Sequence, residues 1–253
     1  MPEVLSFPSE EELIANLEAL GEKEEAIGLA VAALKTGQFH HPDGRVDDLG
    51  VVRLALGQGG LVAHLAQVCP KPLSMEIGFG MGSSAAIILG TRRLKGDPFA
   101  HFIFDPYGLS EGRGQVVQSY LQQRFPKAFR RVMKRSEVGL GLLLDKQGPG
   151  SAGFIFIDGD HRFDAVMTDF VLADKLCCVG GYVVLDDAYF PAIESVINFV
   201  AANRPDYAIA HLAVPNCTVL KKIGRDSRDW DSFKPFEVPQ REDWTSSVEE
   251  ISA

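Results

Sequence analysis

The sequence predicts an α/β fold with a doubly wound, mostly parallel sheet of seven strands, of which the last is antiparallel. It also predicts a helical cap at the N-terminus. Three observations predict this fold. From residue 72 onward, five short apolar runs alternate with helical stretches. These runs are almost continuously apolar, which is typical of parallel strands that are buried on both faces. Two further strand-like runs, joined by a short turn, close the alternating part.

Residues 1–70 lack this alternation, and we expect them to form the helical cap. Ser9 followed by three glutamates predicts a capped helix whose apolar face includes Leu13 and Leu17. Further helical stretches are expected at about residues 24–34 and 51–68. The sequence is therefore divided into a cap (1–70), an α/β domain (71–223) and a polar C-terminal tail (224–253).

The elements of the α/β domain follow in order along the chain. The predicted strands are residues 73–77, 101–104, 131–134, 153–157 and 182–185. The predicted helices are residues 83–94, 114–124, 138–146, 163–176 and about 193–203. A closing hairpin pairs residues 207–214 with 218–223 across Pro215 and Asn216. Gly180 and Gly181 are interpreted as the turn that precedes the fifth strand.

Composition excludes several classes of function. The net charge of −9 and the pI of about 5.2 give no basic surface, so we expect neither a nucleic-acid nor a membrane partner. No apolar run approaches the ~20 residues of a membrane-spanning helix, and the acidic start does not resemble a secretion signal, so a cytoplasmic location is expected. The cysteines have no metal-binding spacing and are expected to be reduced thiols: Cys69, Cys177, Cys178 and Cys217.

A glycine-rich turn follows the first predicted strand, in the segment Ser-Met-Glu-Ile-Gly-Phe-Gly-Met-Gly-Ser-Ser at residues 74–84. A strand, a tight turn and a helix start of this kind hold a nucleotide-like ligand against bare backbone. In a dinucleotide fingerprint, the third glycine comes five residues after the first. Here Gly82 comes four residues after Gly78, so the spacing argues against a nicotinamide-dependent dehydrogenase.

Acidic residues end four of the five predicted parallel strands. Because ligands of open α/β sheets bind outside the carboxyl ends of the strands, these acids are the candidate site. Asp105, 23 residues after Gly82, is placed to accept both hydroxyls of a ribose; a solvated turn is the alternative. Ser136, after the third strand, is a candidate for the adenine edge or for the cap of the helix from Val138 onward.

The last two parallel strands end in Asp158-Gly-Asp160-His161 and in Asp186-Asp187. If these strands are neighbours, four carboxylates crowd one rim and repel each other unless a cation lies between them. Magnesium, which prefers oxygen ligands, would relieve this repulsion. The alternative has Asp158 contacting a cofactor, Asp186 capping the next helix, and no metal. His161 could be a base, a ligand, an orienting group for Asp160 or a structural hydrogen-bonding residue.

These motifs together resemble a known family. The pattern E-x-G-x-G-x-G at residues 76–82 resembles motif I of the S-adenosylmethionine-dependent methyltransferases of the Rossmann-like class. Asp158 with Asp186-Asp187 is similar to the metal triad of the magnesium-dependent O-methyltransferases, which include enzymes acting on catechols and sugars. The resemblance covers roughly residues 73–223 and implies that residues 71–223 form an S-adenosylmethionine-binding domain.

The resemblance implies a set of site residues with three roles. S-adenosylmethionine would be bound by Glu76, Gly78, Phe79, Gly80, Gly82, Ser83, Ser84, Asp105, Ser136 and Asp158. A magnesium ion would be held by Asp158, Asp186 and Asp187, and the catalytic residues would be Asp160, as general base, and His161. Glu76 or a neighbouring backbone group would position the amino end of the cofactor, and Tyr107 and Tyr189 could line the pocket or pack in the core.

We therefore expect an S-adenosylmethionine-dependent, metal-dependent O-methyltransferase that acts on a hydroxyl of a small molecule such as a sugar or natural product. Two alternatives stay open: a metal-independent N-, C- or carboxyl-methyltransferase, and a non-catalytic cofactor-binding protein. Assembly into a homo-oligomer is also left open.

Overall fold

The computed structural model describes residues 5–40, 44, 46–50, 53–106, 114–211, 214 and 216–239. Tyr107, Pro215 and the tail beyond residue 239 lie outside these ranges, so the predictions for them are not addressed by the structure. Among the residues described, none of the helices combines the length and the apolarity that a membrane crossing requires.

The described residues form eight helices and nine strands. The helices are α1 (Glu10–Gly21), α2 (Glu25–Thr36), α3 (Leu56–Val68), α4 (Ser83–Lys95), α5 (Gln115–Arg124), α6 (Ser136–Gln147), α7 (Phe163–Leu176) and α8 (Pro191–Asn203). The strands are β1 (Gln38–His40), β2 (Val46–Asp48), β3 (Leu73–Ile77), β4 (Ala100–Phe104), β5 (Phe129–Val132), β6 (Ala152–Ile157), β7 (Cys177–Leu185), β8 (Tyr207–His211) and β9 (Thr218–Lys222).

The main sheet contains seven strands in the order β5-β4-β3-β6-β7-β9-β8. The first five of these are parallel to one another, and β9 runs antiparallel to both of its neighbours. The predicted fold class is therefore confirmed. β3 and β6 occupy the middle of the sheet, where strand order reverses, so the loops after them lie at the point where α/β folds bind ligands.

Alternation along β6 explains why helices cover both faces of the sheet. Phe154 and Phe156 point into an apolar cluster shared with α1 to α5. Ile155 and Ile157 point the other way, into a cluster shared with α6, α7 and α8. Because successive side chains of a strand face opposite sides, an apolar run of this kind must be covered on both.

The N-terminal helices are part of the layer that covers the first face. Ser9 caps α1 as predicted, since its hydroxyl accepts a hydrogen bond from the Glu12 backbone N–H at 3.2 Å. Apolar residues of α1, α2 and α3 lie in the same cluster as those of α4. Between α2 and α3, β1 and β2 form a small antiparallel pair that was not expected, because each has only three residues.

Two local predictions are wrong. Ser136 is the first residue of α6 and its N-cap is Arg135, so Ser136 is not the cap of a helix that begins at Val138. Gly180 and Gly181 do not precede the fifth parallel strand but lie within β7, where the pairing register with β6 shifts. A Cβ on Gly181 would lie only 2.9 Å from the Cys177 sulfur. The close packing at this position therefore leaves no room for a larger residue than glycine.

Candidate active site

The candidate site lies where four neighbouring strands end. The hydrogen-bonded ladder runs one residue past the strands: Gly78 N–H donates to Phe104 O (3.0 Å), Asp158 N–H to Ile77 O (2.9 Å) and Asp186 N–H to Ile157 O (3.0 Å). The segments that follow β4, β3, β6 and β7 therefore emerge side by side. This geometry brings the predicted glycine turn and the predicted acids to one edge of the sheet.

The glycine turn packs tightly against the end of β6. Gly78 has a φ of 93°, and a Cβ built there would lie 1.9 Å from the carbonyl oxygen of Asp158. Gly80 (φ 47°) is exposed, and Gly82 (φ 76°) is the N-cap of α4 with no side-chain cap hydrogen bond. Backbone N–H groups at a helix start without a side-chain cap are suited to polar ligands that accept hydrogen bonds.

Asp105 lies directly beside this turn. Its Oδ2 accepts a hydrogen bond from the Phe79 backbone N–H at 3.0 Å. Arg131, on β5, is 3.7 Å from the same oxygen and its guanidinium lies 4.4 Å above the Phe79 ring. Asp105 thus lies at the end of β4 beside the glycine turn and holds that turn through Phe79.

Glu76 is wholly buried within β3, with an exposed fraction of 0%. Its Oε2 lies 3.6 Å from His101 Nε2, and His101 Nδ1 is 3.0 Å from the Ser74 hydroxyl. Among the described residues, neither carboxylate oxygen of Glu76 has a hydrogen-bond partner. Glu76 is therefore a buried carboxylate, and its charge contributes to the raised pKa of Asp158 at the end of β6.

The serines named from the sequence lie at the starts of two helices. Ser83 and Ser84 begin α4 and are both buried. Ser136 is at the start of α6, near Asp169 on α7. Burial raises the pKa of Asp169 to about 6, and Ser136 acts in the opposite direction.

Three side chains past β6 and β7 come together as the acidic cluster: Asp158, His161 and Asp187. One ligand atom from each lies within 4.8 Å of the others, a spacing that can hold a metal ion. His161 Nε2 is 2.9 Å from Asp187 Oδ2. Asp187 has a φ of 51°, a left-handed conformation that aspartate tolerates better than most residues.

Electrostatics within the acidic cluster favour a positive charge. Burial, with the nearby charges of Asp186 and Asp187, raises the pKa of Asp158. Burial also raises the pKa of Asp186. The hydrogen bond to Asp187 raises the pKa of His161. Each of these pKa increases arises because several carboxylates lie close together and away from water. Their charges repel each other, and a cation would relieve that repulsion.

Asp186 is oriented by residues that no sequence signal marked. Its Oδ1 accepts a hydrogen bond from Gln58 Nε2 at 2.6 Å and lies 3.1 Å from the Cys217 sulfur. Gln58 belongs to α3 and Cys217 immediately precedes β9, so three distant segments converge here. The only hint in the sequence is a polar residue inside the Gly-Gln-Gly-Gly run.

Asp160, the predicted general base, is not part of the acidic cluster. Its carboxylate is paired with the Arg162 guanidinium through both oxygens, at 3.0 Å from Nε to Oδ1 and 2.5 Å from Nη2 to Oδ2. These hydrogen bonds lower the pKa of Asp160. His161 packs instead on Phe190, at 5.0 Å between ring centroids, and Phe190 stacks on Tyr189 at 4.5 Å.

The residues present are suited to a nucleotide-like methyl donor and to a divalent cation. A Cβ is excluded at Gly78 by the Asp158 carbonyl, and the positive φ of Gly80 disfavours other residues there. The turn therefore offers backbone without side chains to a ligand. The donor set of carboxylate oxygens with one imidazole suits magnesium or manganese better than a soft metal. The four cysteines are free and buried, as expected, and Cys217 is the one that touches the site.

Comparison with known proteins agrees with this geometry. Residues 75–188 match the family model described as "Methyltransferase domain". An uncharacterized protein, R132, of Acanthamoeba polyphaga mimivirus is 36% identical over 59 residues, a match that covers 22% of this chain and 27% of that protein. The matched family region spans β3 to the segment after β7 and so contains both the glycine turn and the acidic cluster.

Solved structures share the fold. The O-methyltransferase TomG of Streptomyces achromogenes, which is involved in tomaymycin synthesis and was solved with S-adenosylmethionine, is 18% identical with a TM-score of 0.57. That likeness covers 86% of this chain and all (100%) of TomG. The O-methyltransferase of Bacillus cereus, solved with S-adenosylhomocysteine, is 14% identical with a TM-score of 0.57, covering 84% of this chain and 100% of that one.

Proposed function

We propose that this chain, which carries a methyltransferase domain over residues 75–188, transfers a methyl group from S-adenosylmethionine to a hydroxyl of a small molecule with the help of a divalent cation. The observation that carries the proposal is the acidic cluster, which lies one strand away from the glycine turn. The O-methyltransferases of similar fold, two of which were solved with S-adenosylmethionine or its product, support the choice of donor and of reaction.

The donor, when bound, supplies an electrophilic methyl group on its sulfonium. Its methionine part is assigned to the turn of Gly78, Phe79, Gly80 and Gly82 and to the buried start of α4 at Ser83 and Ser84. Glu76 or the backbone that follows it would position the amino end; both oxygens of the buried Glu76 carboxylate are without a hydrogen-bond partner among the described residues. Asp105 would hold the ribose, Ser136 would lie near the adenine edge, and Asp158 would contact the cofactor.

A divalent cation would be held by Asp158, Asp186 and Asp187, the triad that the resemblance implies. Of these, Asp158 and Asp187 lie with His161 in the acidic cluster, and Asp186 adjoins it along the chain. When bound, the cation lowers the pKa of a coordinated hydroxyl and so favours the alkoxide or phenolate at neutral pH. The protein's part is to fix these carboxylates in orientation; burial alone disfavours the ionised forms of Asp158 and Asp186, and a cation would favour them.

His161 is proposed as the general base in preference to Asp160. Its Nε2 faces Asp187, so the imidazole is oriented by a carboxylate and its Nδ1 is the nitrogen left to accept a proton. Asp160 is already engaged with Arg162, which stabilises its ionised form and weakens it as a base. Asp160 stays the second candidate for this role.

The decisive measurement is transfer of labelled methyl from S-adenosylmethionine to a panel of small hydroxylated acceptors, with magnesium and with a chelator. We expect activity that is lost with the chelator and restored by magnesium. Asp187→Asn should abolish most of it, because asparagine tolerates the left-handed backbone but removes the charge. The exposed acid Asp145, on α6, provides the matched control, and Asp145→Asn should behave as wild type.

The assignment of the base is tested separately. Replacing a general base typically costs ~10²–10⁴ in rate, so His161→Gln should lower kcat by that order while Asp160→Asn lowers it far less. The reverse ranking would return the role to Asp160. Activity that is indifferent to both the chelator and Asp187→Asn would reject the cation and leave a metal-independent methyl transfer as the alternative.

A further inference from the structure

Gln58 lies at the third position of α3, with only 5% of its surface exposed. Its Oε1 accepts a hydrogen bond from the Ala55 backbone N–H at 2.6 Å. Because that contact requires the oxygen of the amide, the opposite end of the side chain must be the NH₂ group. The NH₂ group lies 2.6 Å from Asp186 Oδ1, and the pairing is therefore directional.

Asp186 is held by two side chains from distant segments. Besides Gln58, the Cys217 thiol donates a hydrogen bond to Asp186 Oδ1 at 3.1 Å. A carboxylate offers about four acceptor positions, so these two donors leave about two for a ligand.

We propose that Gln58 and Cys217 are positioning residues, which hold Asp186 in place beside the acidic cluster as a third carboxylate of the proposed cation site. The inference rests on the proposed cation-dependent function. Neither side chain is assigned a contact with a reacting atom. Partners of this kind set the orientation and basicity of metal-ligating carboxylates, and their loss typically weakens metal binding by ~10–100-fold.

The N-terminal helical region would therefore contribute to the proposed cation site through Asp186. α3 is packed into the cluster that covers the first face of the sheet, and Gln58 is the point where that region reaches the acids. A purely structural role, with Gln58 serving only to cap α3 through Ala55, is the competing explanation. The two roles differ in what a substitution changes: capping affects stability alone, whereas positioning affects cation affinity.

The test uses the full chain and manganese as the probe, with its Kd measured by calorimetry or by electron paramagnetic resonance. The variants are Gln58→Met, which keeps the length but removes both polar contacts, and Cys217→Ala, which removes the second donor. Gln67, on the same helix, hydrogen-bonds to Asn16 at 3.2 Å and gives the matched control Gln67→Met. Cys217→Ser keeps a donor and serves as the conservative rescue.

We expect Gln58→Met to raise the Kd for manganese by about 10–100-fold and Cys217→Ala to raise it by a smaller factor. Cys217→Ser and Gln67→Met should stay close to wild type. The Kd for S-adenosylmethionine should change less than about twofold in all variants, which separates positioning from general loosening of the fold.

Manganese affinity that is unchanged in both Gln58→Met and Cys217→Ala would overturn the inference while leaving the proposed function intact. An equal loss of manganese and S-adenosylmethionine binding would also overturn it, because the residues would then be structural. A wild-type chain that binds S-adenosylmethionine but no manganese would reject the cation in the proposed function and this inference with it. If Gln58→Met does not fold, the comparison of Cys217→Ala with Cys217→Ser decides.

Discussion

Gly78 shows how one residue couples two parts of the candidate site. It lies between β3 and the glycine turn, and the carbonyl of Asp158 occupies the space where a side chain would start. The contact ties the glycine turn to Asp158, the first acid of the cluster. Its cause is steric and is independent of any ligand.

We predict that Gly78→Ala destabilises the fold by roughly 3 kcal/mol or more, since a Cβ 1.9 Å from a backbone oxygen must displace the chain and the φ of 93° is strained for alanine. Urea unfolding measures the loss. Gly141, on α6, has no atom within 4 Å of a built Cβ and gives the control. Gly141→Ala should gain about 0.5–1 kcal/mol from helix propensity. Equal stability of the two variants would contradict the clash.

At this scale the sequence predicted the acids and the glycines well, because strand ends and tight turns leave local signals. Asp158, Asp187 and Asp105 lie where the alternation of strands and helices placed them. Gln58 left no such signal, because its partner Asp186 is 128 residues away along the chain. The pairing of Asp160 with Arg162 was equally hidden, although the two are neighbours, since a charged pair and a free base have the same sequence pattern.

Among the elements, α3 is held close to α1 by small residues. A Cβ on Gly60 would lie 2.6 Å from the backbone carbonyl of Leu13, which means that the two helices touch through their backbones. α3 carries Gln58, so the depth of this contact sets where Gln58 lies relative to Asp186.

Gly60→Ala should therefore be destabilising despite the better helix propensity of alanine. The propensity gain is at most about 1 kcal/mol, whereas forcing two packed backbones apart costs about 1–3 kcal/mol. We expect a net loss near 1 kcal/mol by urea unfolding, opposite in sign to Gly141→Ala. A stabilised Gly60→Ala variant would mean that α1 can move away from α3 at little energetic cost.

Most element positions followed from periodicity, and the departures have local physical causes. The helix at 163–176 has a clear apolar stripe and was predicted with both ends correct. β7 was expected to begin after Gly181 because glycine pairs usually mark turns, yet here the pair lies within the strand beside β6. β1 and β2 are three residues each, too short for alternation to be visible.

Across the whole molecule, a buried charge network joins α7 to the closing hairpin. Asp174 accepts hydrogen bonds from Arg204 at 2.7 Å and from the Tyr207 hydroxyl at 2.9 Å, and its Oδ1 lies 2.9 Å from the Lys222 ammonium. Burial alone would raise the pKa of Asp174, but the hydrogen bonds from Arg204 and Lys222 outweigh it and hold that pKa below its usual value.

A lowered pKa in the folded state gives stability that is fully present above the unfolded value near 3.9 and is lost as the pH falls through the folded value. Asp174→Asn should therefore cost roughly 3 kcal/mol at pH 7, and its difference from wild type should shrink below about pH 4. Urea unfolding at pH 7 and pH 3.5 tests this, with Asp145→Asn as the control. A difference that does not depend on pH would show that Asp174 acts through shape rather than charge.

The sheet order could be predicted only in outline, since sequence periodicity identifies strands but not their neighbours. The fold was nevertheless recoverable, because alternating units in a parallel sheet allow few arrangements. The hydrogen bond from Cys217 to Asp186 could not be predicted from the sequence. It depends on the exact position of Cys217 in the turn between β8 and β9.

The placement of Cys217 at the start of β9 has a consequence for protein engineering. A graft that exchanges the terminal hairpin, made to alter solubility or to add a tag, would remove a neighbour of Asp186 although it leaves every acid in place. Such a chimera should keep a thiol or hydroxyl at that position if its designer wants the carboxylate to stay where it is.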